Sequence, residues 1–351
     1  MVRARFHALA VADIRRETPD CVSLAFAVPG RLRERFHFKP GQYLTLRATL
    51  GGVEVRRCYS ICSGLDDGEL RVAVKHVSGG LFSTFANETL RPGDTVEAMP
   101  PDGRFTTPLR PGTYAALACG SGITPILSLV TSLLARDKGA RIFLLYGNRT
   151  GRDIIFAEAL ARLKDRYIDR FSVTHVLSRE AQDVPALNGR LDREHISRLL
   201  PAGPIDRAFL CGPEAMMDEA AATLAERGLA PAQILREHFR VDGEGPRAAP
   251  PPSPVPAAAA TIAEIVIDGR RHEIAVPDGV SIIEAARAAG LDLPYSCQGG
   301  MCCTCRARLA GGRAEMAVNY SLQQWEIDAG FILTCQARPL TPRLTLDFDA
   351  V

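Results

Sequence analysis

Residues 240–261, RVDGEGPRAAPPPSPVPAAAAT, have no way to build a core. Repeated prolines supply no amide donors, and the side chains between them are too small to bury much surface, so the segment reads as an extended, semi-rigid linker. The rest of the chain must therefore fold as separate pieces on either side of it. A length of 351 residues agrees, being more than one ordinary core organises and suggesting two or three domains. The linker serves either as a spacer or as a tether that lets one piece reorient. With 46% hydrophobic and 23% charged residues the pieces should be ordinary globular domains. Residues 1–239 carry 32 Lys and Arg against 27 Asp and Glu, whereas 262–351 carry 8 against 11. That imbalance is too small for nucleic-acid binding; it is either scatter or an acidic domain that docks on basic surfaces.

Behind the linker, Cys297, Cys302 and Cys305 form a C-x4-C-x2-C run, and Cys335 follows after 29 further residues. Thiolates are soft ligands, and this is the spacing of a plant-type [2Fe–2S] site. Gln298, Gly299, Gly300 and Met301 would let one loop wrap a cluster closely. A structural zinc site would more usually show two paired C-x2-C units, and a fortuitous cysteine-rich loop is the other alternative. Cys303 breaks both spacings if substituted for Cys302, so it reads as a packed or spare thiol. Residues 1–16 carry charges throughout and show no apolar signal segment, so the ten cysteines are expected in a reducing cytoplasm and not in disulfides.

The fold expected is multidomain. Residues 1–108 alternate apolar and polar positions in short runs such as 43–46, 53–59 and 70–74, punctuated by Gly and Pro, which predicts an antiparallel β-barrel. Residues 109–239 change to apolar runs (114–119, 141–146, 171–177, 207–211) alternating with helical segments (124–135, 155–167, 194–200, 213–227), which predicts an α/β domain on a parallel sheet. The uncharged stretch Pro111 to Ala135 is interrupted by Gly120, Gly122 and Pro125, and reads as a buried strand, loop and helix, not a membrane span. Residues 262–351 should form a small α+β domain: a hairpin around Asp268-Gly269, a helix at 281–289, the cysteine loop, and strands near 306–309 and 331–337.

Four short motifs carry chemistry. Arg57-Cys58-Tyr59-Ser60 ends a predicted strand, and Gly79-Gly80-Leu81-Phe82-Ser83 opens a short helix whose bare amides, with the Ser83 hydroxyl, could hold a pyrophosphate. Gly120-Ser121-Gly122-Ile123-Thr124-Pro125 joins strand to helix as a nucleotide-type loop, with Pro125 suited to a first turn. Cys211-Gly212-Pro213 brings a thiol to the carboxyl edge of the sheet, where ligands bind in such folds. Ser178 and Arg179 end another strand, and a hydroxyl beside a guanidinium suits a phosphate monoester, favouring NADPH over NADH.

In this order the motifs resemble the ferredoxin–NADP reductase family fused to a C-terminal plant-type ferredoxin, whose C-terminal fold is a β-grasp. The resemblance covers nearly the full length. It implies FAD as the flavin, with Arg57 on its phosphate, Tyr59 stacked on its ring, Ser60 near its N5, and Gly79, Gly80 and Ser83 at its pyrophosphate. It implies Gly120, Gly122, Thr124 and Pro125 as the NADPH loop, Gly212 and Pro213 alongside it, and Cys211 beside the nicotinamide. Glu237-His238-Phe239 is similar to the family's E-x-aromatic ending, giving Glu237 a place in the hydride-transfer site and Phe239 one over the flavin; Phe replaces the commoner Tyr, and the chain runs on past it. Within the family, Tyr146-Gly147-Asn148-Arg149, Ser178-Arg179-Glu180, the segment 299–307, Glu315 to Leu322 and Asp347 to Ala350 look like the reductase subunits of phenylacetyl-CoA 1,2-epoxidase complexes, which adds Arg149 to the nucleotide contacts. Reductases of Rieske 3-ketosteroid 9α-hydroxylases and other aromatic-ring oxygenases share the domain order.

The expected function is electron transfer. A reduced nicotinamide delivers two electrons as a hydride and a [2Fe–2S] cluster takes one at a time, so a flavin is needed between them. Ser60, Cys211 and Glu237 would line the gap the hydride crosses, and Cys297, Cys302, Cys305 and Cys335 would hold the cluster. The acceptor implied is a di-iron oxygenase that epoxidises phenylacetyl-CoA in phenylacetate catabolism, with the aromatic substrate bound there and not on this chain. An iron–sulfur redox sensor is the alternative of another class.

Overall fold

The computed structural model describes residues 6–239 and 261–350, so the linker, apart from Thr261, lies outside the described residues. The chain divides into two compact units, one holding almost all of residues 6–239 and the other built on the C-terminal segment.

The first unit begins with six strands: β1 (His7–Thr18), β2 (Cys21–Ala27), β3 (Tyr43–Leu50), β4 (Val53–Ser60), β5 (Leu70–Lys75) and β6 (Thr95–Ala98). They form an antiparallel sheet in the order β4-β3-β6-β1-β2-β5. An antiparallel bridge from Ile61, just past β4, to Val72 of β5 joins the two edges, and the sheet closes as the alternation of the sequence predicted. Leu9, Leu24, Leu44, Leu46, Ile61 and Val72 fill its interior. Arg71 departs from the pattern. Its alternating position suggests an exposed side chain, yet it is 3% exposed, paired with Asp13 at 2.5 Å and Glu69 at 2.7 Å, and bonded to the Ser23 hydroxyl at 2.9 Å. A short helix, α1 (Leu81–Thr84), follows Gly80 and runs into a wider turn over Phe85–Thr89.

Five parallel strands follow: β7 (Gly112–Cys119), β8 (Ala140–Asn148), β9 (Phe171–Leu177), β10 (Arg207–Cys211) and β11 (Ile234–Glu237), in the order β11-β10-β7-β8-β9. The helices are α2 (Ile123–Arg136), α3 (Ala157–Arg166), α4 (Arg193–Leu199) and α5 (Glu214–Glu226). The helix expected from 155 starts two residues late because Phe156 is in the left-handed region, at φ 63°. The uncharged stretch 111–135 is explained by α2, which is buried almost all round. One side packs on the sheet. The other meets the barrel, where the Ser128 hydroxyl donates to the Ser63 carbonyl at 2.7 Å and the Ser132 hydroxyl accepts from the Leu65 amide at 3.1 Å. Arg136 closes this seam with two bonds to the Asp66 carboxylate. Among the described residues no helix is long and apolar enough to cross a membrane.

The second unit contains β12 (Thr261–Ile267), β13 (Arg270–Val276), α6 (Ile282–Ala288), β14 (Arg306–Gly311), β15 (Ala314–Met316), α7 (Gln324–Asp328), β16 (Phe331–Leu333), β17 (Ala337–Pro339) and β18 (Arg343–Asp347). A mixed sheet runs β13-β12-β18-β14-β16, with β15 and β17 as a separate ribbon. Ser281 caps α6: its hydroxyl accepts from the Glu284 amide while the Glu284 carboxylate accepts from the Ser281 amide, a pairing of about 1 kcal/mol. Residues 331–337, expected as one strand, are two strands separated at Thr334–Gln336, because Cys335 must leave the ladder to reach the cysteine loop.

Candidate redox sites

At the end of β4, Tyr59 and Arg57 share one face by the two-residue period and Ser60 takes the other. Ser60 is buried, and Tyr59 is half-buried with its ring centroid 5.4 Å from that of Phe82 in α1. The strand motif and the glycine-pair motif are thus brought together. The Ser83 hydroxyl is used inside its own loop, accepting from the Val77 amide at 3.2 Å and donating to the Gly80 carbonyl at 3.1 Å. It shapes the turn, and the first-turn amides of α1, which no helical carbonyl can reach, remain the groups suited to an anion.

The carboxyl edge of the parallel sheet assembles the next group. Cys211 at the end of β10 stands in register with Ala118 of β7 on one side and Glu237 of β11 on the other. Burial pushes the Cys211 thiol well above its ordinary range, and the Glu237 charge adds to the effect. It is a neutral thiol, not a nucleophile. The loop of Gly120–Gly122 leads straight into α2 and is locked against this edge: a Cβ on Gly122 would lie 2.0 Å from the Cys211 carbonyl oxygen. Gly120, at φ 54°, faces open space where its Cβ would be, so its backbone is bare on that side. The loop is braced from behind. The Tyr146 hydroxyl donates to the Gly120 carbonyl at 2.9 Å, and the buried Thr124 hydroxyl donates to the Ser121 carbonyl at 3.0 Å. Pro125 is buried in the first turn of α2. Phe239 packs on the core shared by barrel and sheet.

On the other side of the glycine loop, β8 and β9 end in Arg149, Ser178 and Arg179, all exposed. Their backbones are tied together, Ser178 to the Asn148 carbonyl at 3.0 Å and Arg179 to the Arg149 carbonyl at 2.8 Å. Two exposed arginines therefore start from one sheet edge, and the Ser178 hydroxyl between them donates to the Asn148 carbonyl at 3.3 Å. Asn148, to which no motif gives a role, ends β8 beside them. It is 8% exposed and lies near the Tyr146 hydroxyl, but that hydroxyl is engaged with Gly120 and neither amide atom of Asn148 makes a hydrogen bond of ordinary geometry. A buried carboxamide left open beside two arginines fits a polar ligand at this edge.

In the second unit the left-handed residues Gln298 (φ 50°) and Cys303 (φ 54°) fold the cysteine loop on itself. Pairing of β14 with β16 closes the long gap to the fourth cysteine, since Thr334 donates to the Cys305 carbonyl from both its hydroxyl, at 2.8 Å, and its amide, at 3.2 Å. The four thiols meet in two pairs. Cys297 shares a hydrogen bond with Cys302, which with burial pushes its thiol up; Cys305 shares one with Cys335, which raises Cys305 and lowers Cys335. The Gly299 amide also donates to the Cys297 sulfur at 3.3 Å. Two thiols per iron is what a [2Fe–2S] cluster asks for. Cys303 packs on the core of this unit.

A closed antiparallel barrel, a parallel sheet with a glycine loop at its carboxyl edge, and a paired-thiol loop on a mixed sheet define a flavin- and nicotinamide-dependent iron–sulfur oxidoreductase. Family models agree segment by segment: an oxidoreductase FAD-binding domain over residues 8–107, an oxidoreductase NAD-binding domain over 116–222 and a 2Fe-2S iron-sulfur cluster binding domain over 265–340. The chain is 42% identical to a subunit of the 1,2-phenylacetyl-CoA epoxidase of Escherichia coli (strain K12), with 98% of each chain covered. It is 34% identical to the 3-ketosteroid-9-alpha-monooxygenase, ferredoxin reductase component, of Rhodococcus rhodochrous, over 97% of this chain and 96% of that one. Among solved structures, phthalate dioxygenase reductase has the same fold, with TM-score 0.59, 24% identity and 98% of both chains covered. The chain belongs to the ferredoxin–NADP reductase family, in the branch fused to a C-terminal plant-type ferredoxin, and is an NAD(P)H-dependent oxidoreductase with FAD-binding, NAD-binding and [2Fe–2S] domains.

Proposed function

We propose that this chain is the reductase component of a phenylacetyl-CoA epoxidase, taking electrons from NADPH and delivering them to a di-iron oxygenase in the cytoplasm. The observation that carries the reading is the 42% identity over 98% of both chains to a phenylacetyl-CoA epoxidase subunit, against 34% for a ketosteroid monooxygenase reductase component. The domains are taken as 1–108 for FAD, 109–239 for NADPH, 240–261 as linker and 262–351 for the cluster. When bound, the flavin supplies the exchange between a two-electron donor and a one-electron acceptor.

The residues divide that work. Arg57, Tyr59 and Ser60 hold the flavin's phosphate and ring, and Gly79 and Gly80 with the first turn of α1 hold its pyrophosphate, Ser83 keeping the turn in shape. Gly120, Gly122, Thr124 and Pro125 cradle the nucleotide phosphates together with Gly212 and Pro213. Arg149, Ser178 and Arg179, with Asn148, take the adenosine half, and the two guanidinium groups recognise the extra phosphate of NADPH. Cys211 and Glu237 form the polar edge at which the nicotinamide sits, and Phe239 covers the flavin. Cys297 and Cys302 hold one iron, Cys305 and Cys335 the other.

NADPH oxidation by the purified chain, with and without a reconstituted phenylacetyl-CoA epoxidase oxygenase, tests this. Epoxide formation that requires the chain supports the assignment. Cytochrome c reduction without epoxide keeps the reductase and redirects the search to a steroid or other aromatic-ring oxygenase.

A further inference from the structure

Gln336 has no part in the roles assigned above, yet its side chain is placed where it touches both halves of the cysteine site. Its Nε2 donates to the Gln298 carbonyl at 2.8 Å and reaches the Cys335 sulfur at 3.7 Å. Gln298 is the left-handed residue directly after Cys297, so one amide spans from the segment carrying the first cysteine to the segment carrying the last. Its stem is equally fixed: a Cβ on Gly300 would meet the Gln336 Cγ at 3.3 Å and the Val318 carbonyl at 3.1 Å. Gly300 is itself held from its other face, its carbonyl accepting from the Tyr320 amide at 3.1 Å and the Ser321 hydroxyl at 3.0 Å. The Gln336 backbone is pinned too, its amide donating to the Leu333 carbonyl at 2.8 Å and its carbonyl accepting from the Ala317 amide at 3.1 Å.

We propose that Gln336 is a positioning residue of the cluster site, tying Cys335 to the turn of the ligand loop and donating a side-chain hydrogen bond to the Cys335 sulfur. The physical consequence is electronic as well as mechanical. An N–H donor on a ligand sulfur withdraws charge and favours the reduced, more negative cluster, and such bonds are among the protein's means of setting the potential. A thiolate accepts that bond more strongly than the thiol does.

The proposal rests on Cys335 being a ligand, which Cys335→Ala tests separately, since alanine offers iron no donor atom: a native [2Fe–2S] spectrum retained there overturns the ligand assignment whatever Gln336 does. For Gln336 itself, Gln336→Leu and Gln336→Met in the full-length holoprotein remove both donors while keeping bulk over Gly300. The expected result is a cluster of native absorption whose midpoint potential, from a mediated redox titration followed by electron paramagnetic resonance, moves to more negative values. Loss of the cluster to a chelator should also be several-fold faster. Flavin reduction by NADPH serves as the control and should stay at the native rate. Either variant holding its cluster at the native potential and native loss rate overturns the proposal. If neither variant retains a cluster while flavin reduction is unchanged, the tie is upheld.

Discussion

Cys211 and Glu237 stand directly opposite each other in the parallel register of β10 and β11, so a neutral thiol and a carboxyl share one row at the carboxyl edge of the sheet. The thiol is fully buried and its ionisation is opposed by that burial and then by the Glu237 charge. Cys211 should therefore resist iodoacetamide in the native protein at pH 8 and react only after unfolding, as read by mass spectrometry. Glu237→Gln keeps the shape and removes the charge. The flavin-reduction rate with NADPH should fall on the order of 10²-fold, with KM changed by no more than about twofold, because the lost charge acts on the reacting end of the nucleotide and not on its anchor. An unchanged rate would remove Glu237 from the site.

Gly122 is the tightest contact in the nucleotide loop. A methyl group there would lie 2.0 Å from the Cys211 carbonyl oxygen, which is backbone and has little room to yield. Gly122→Ala should cost about 3 kcal/mol of stability and pull the loop off the β10 edge, weakening NADPH binding in the fraction that folds. Gly120→Ala meets no atom, and its cost should come only from the left-handed backbone at φ 54°, about 1 kcal/mol. Denaturant melts of the two variants compare these costs, and the ranking is the prediction.

The three parts of the fold were legible because each writes a different period into the sequence. Alternation marked β3 and β5, continuous apolar runs flanked by glycine marked β7 and β10, and the cysteine spacing marked the loop after α6. What was not legible depended on contacts distant in sequence. The strand β11 is only four residues long and is held by pairing with β10, so Glu237 was placed by motif and not by pattern. Arg71 looks like a solvent-facing strand residue until Asp13, 58 residues away, closes over it. The bonds that the Ser83 and Thr124 hydroxyls donate to the Gly80 and Ser121 carbonyls depend on how each loop folds, and no motif announces them. Asn148 carries no local signal, since an asparagine at a strand end is a common turn residue. Only its burial without a hydrogen-bond partner marks it.

Asp13 gives the barrel a pH dependence with a definite sign. The hydrogen bond from Arg71 holds its carboxyl below the ordinary value of 3.8. A carboxyl whose pKa is lower folded than unfolded stabilises the folded state fully above its unfolded value, near pH 4, and the contribution is lost as pH falls through the folded value. Asp13→Asn should therefore be less stable than the native chain at pH 7, and the gap should narrow below about pH 4 as the native carboxyl is protonated. Urea melts at pH 7 and pH 3 measure it. A gap that is constant across this range would mean the Arg71 pairing does not depend on the Asp13 charge.

Arg149 and Arg179 leave adjacent strand ends whose backbones are joined by the 2.8 Å bond from the Arg179 amide to the Arg149 carbonyl. Both side chains are exposed, so neither is needed to hold the sheet and either can be removed without unfolding it. A pair of guanidinium groups at one edge recognises a phosphate monoester through several charge-assisted bonds, and a hydroxyl in its place would forfeit them. Arg179→Ala should raise the KM for NADPH about tenfold or more while moving the KM for NADH by no more than about twofold, since one such bond is worth about 1.5 kcal/mol or more. Arg149→Ala should act in the same direction. Asn148→Ala should weaken both nucleotides alike, because its carboxamide sits at the strand end they share and has no charge with which to favour the phosphate. Equal effects of Arg179→Ala on NADPH and NADH would place the phosphate elsewhere and leave the two arginines as surface charges.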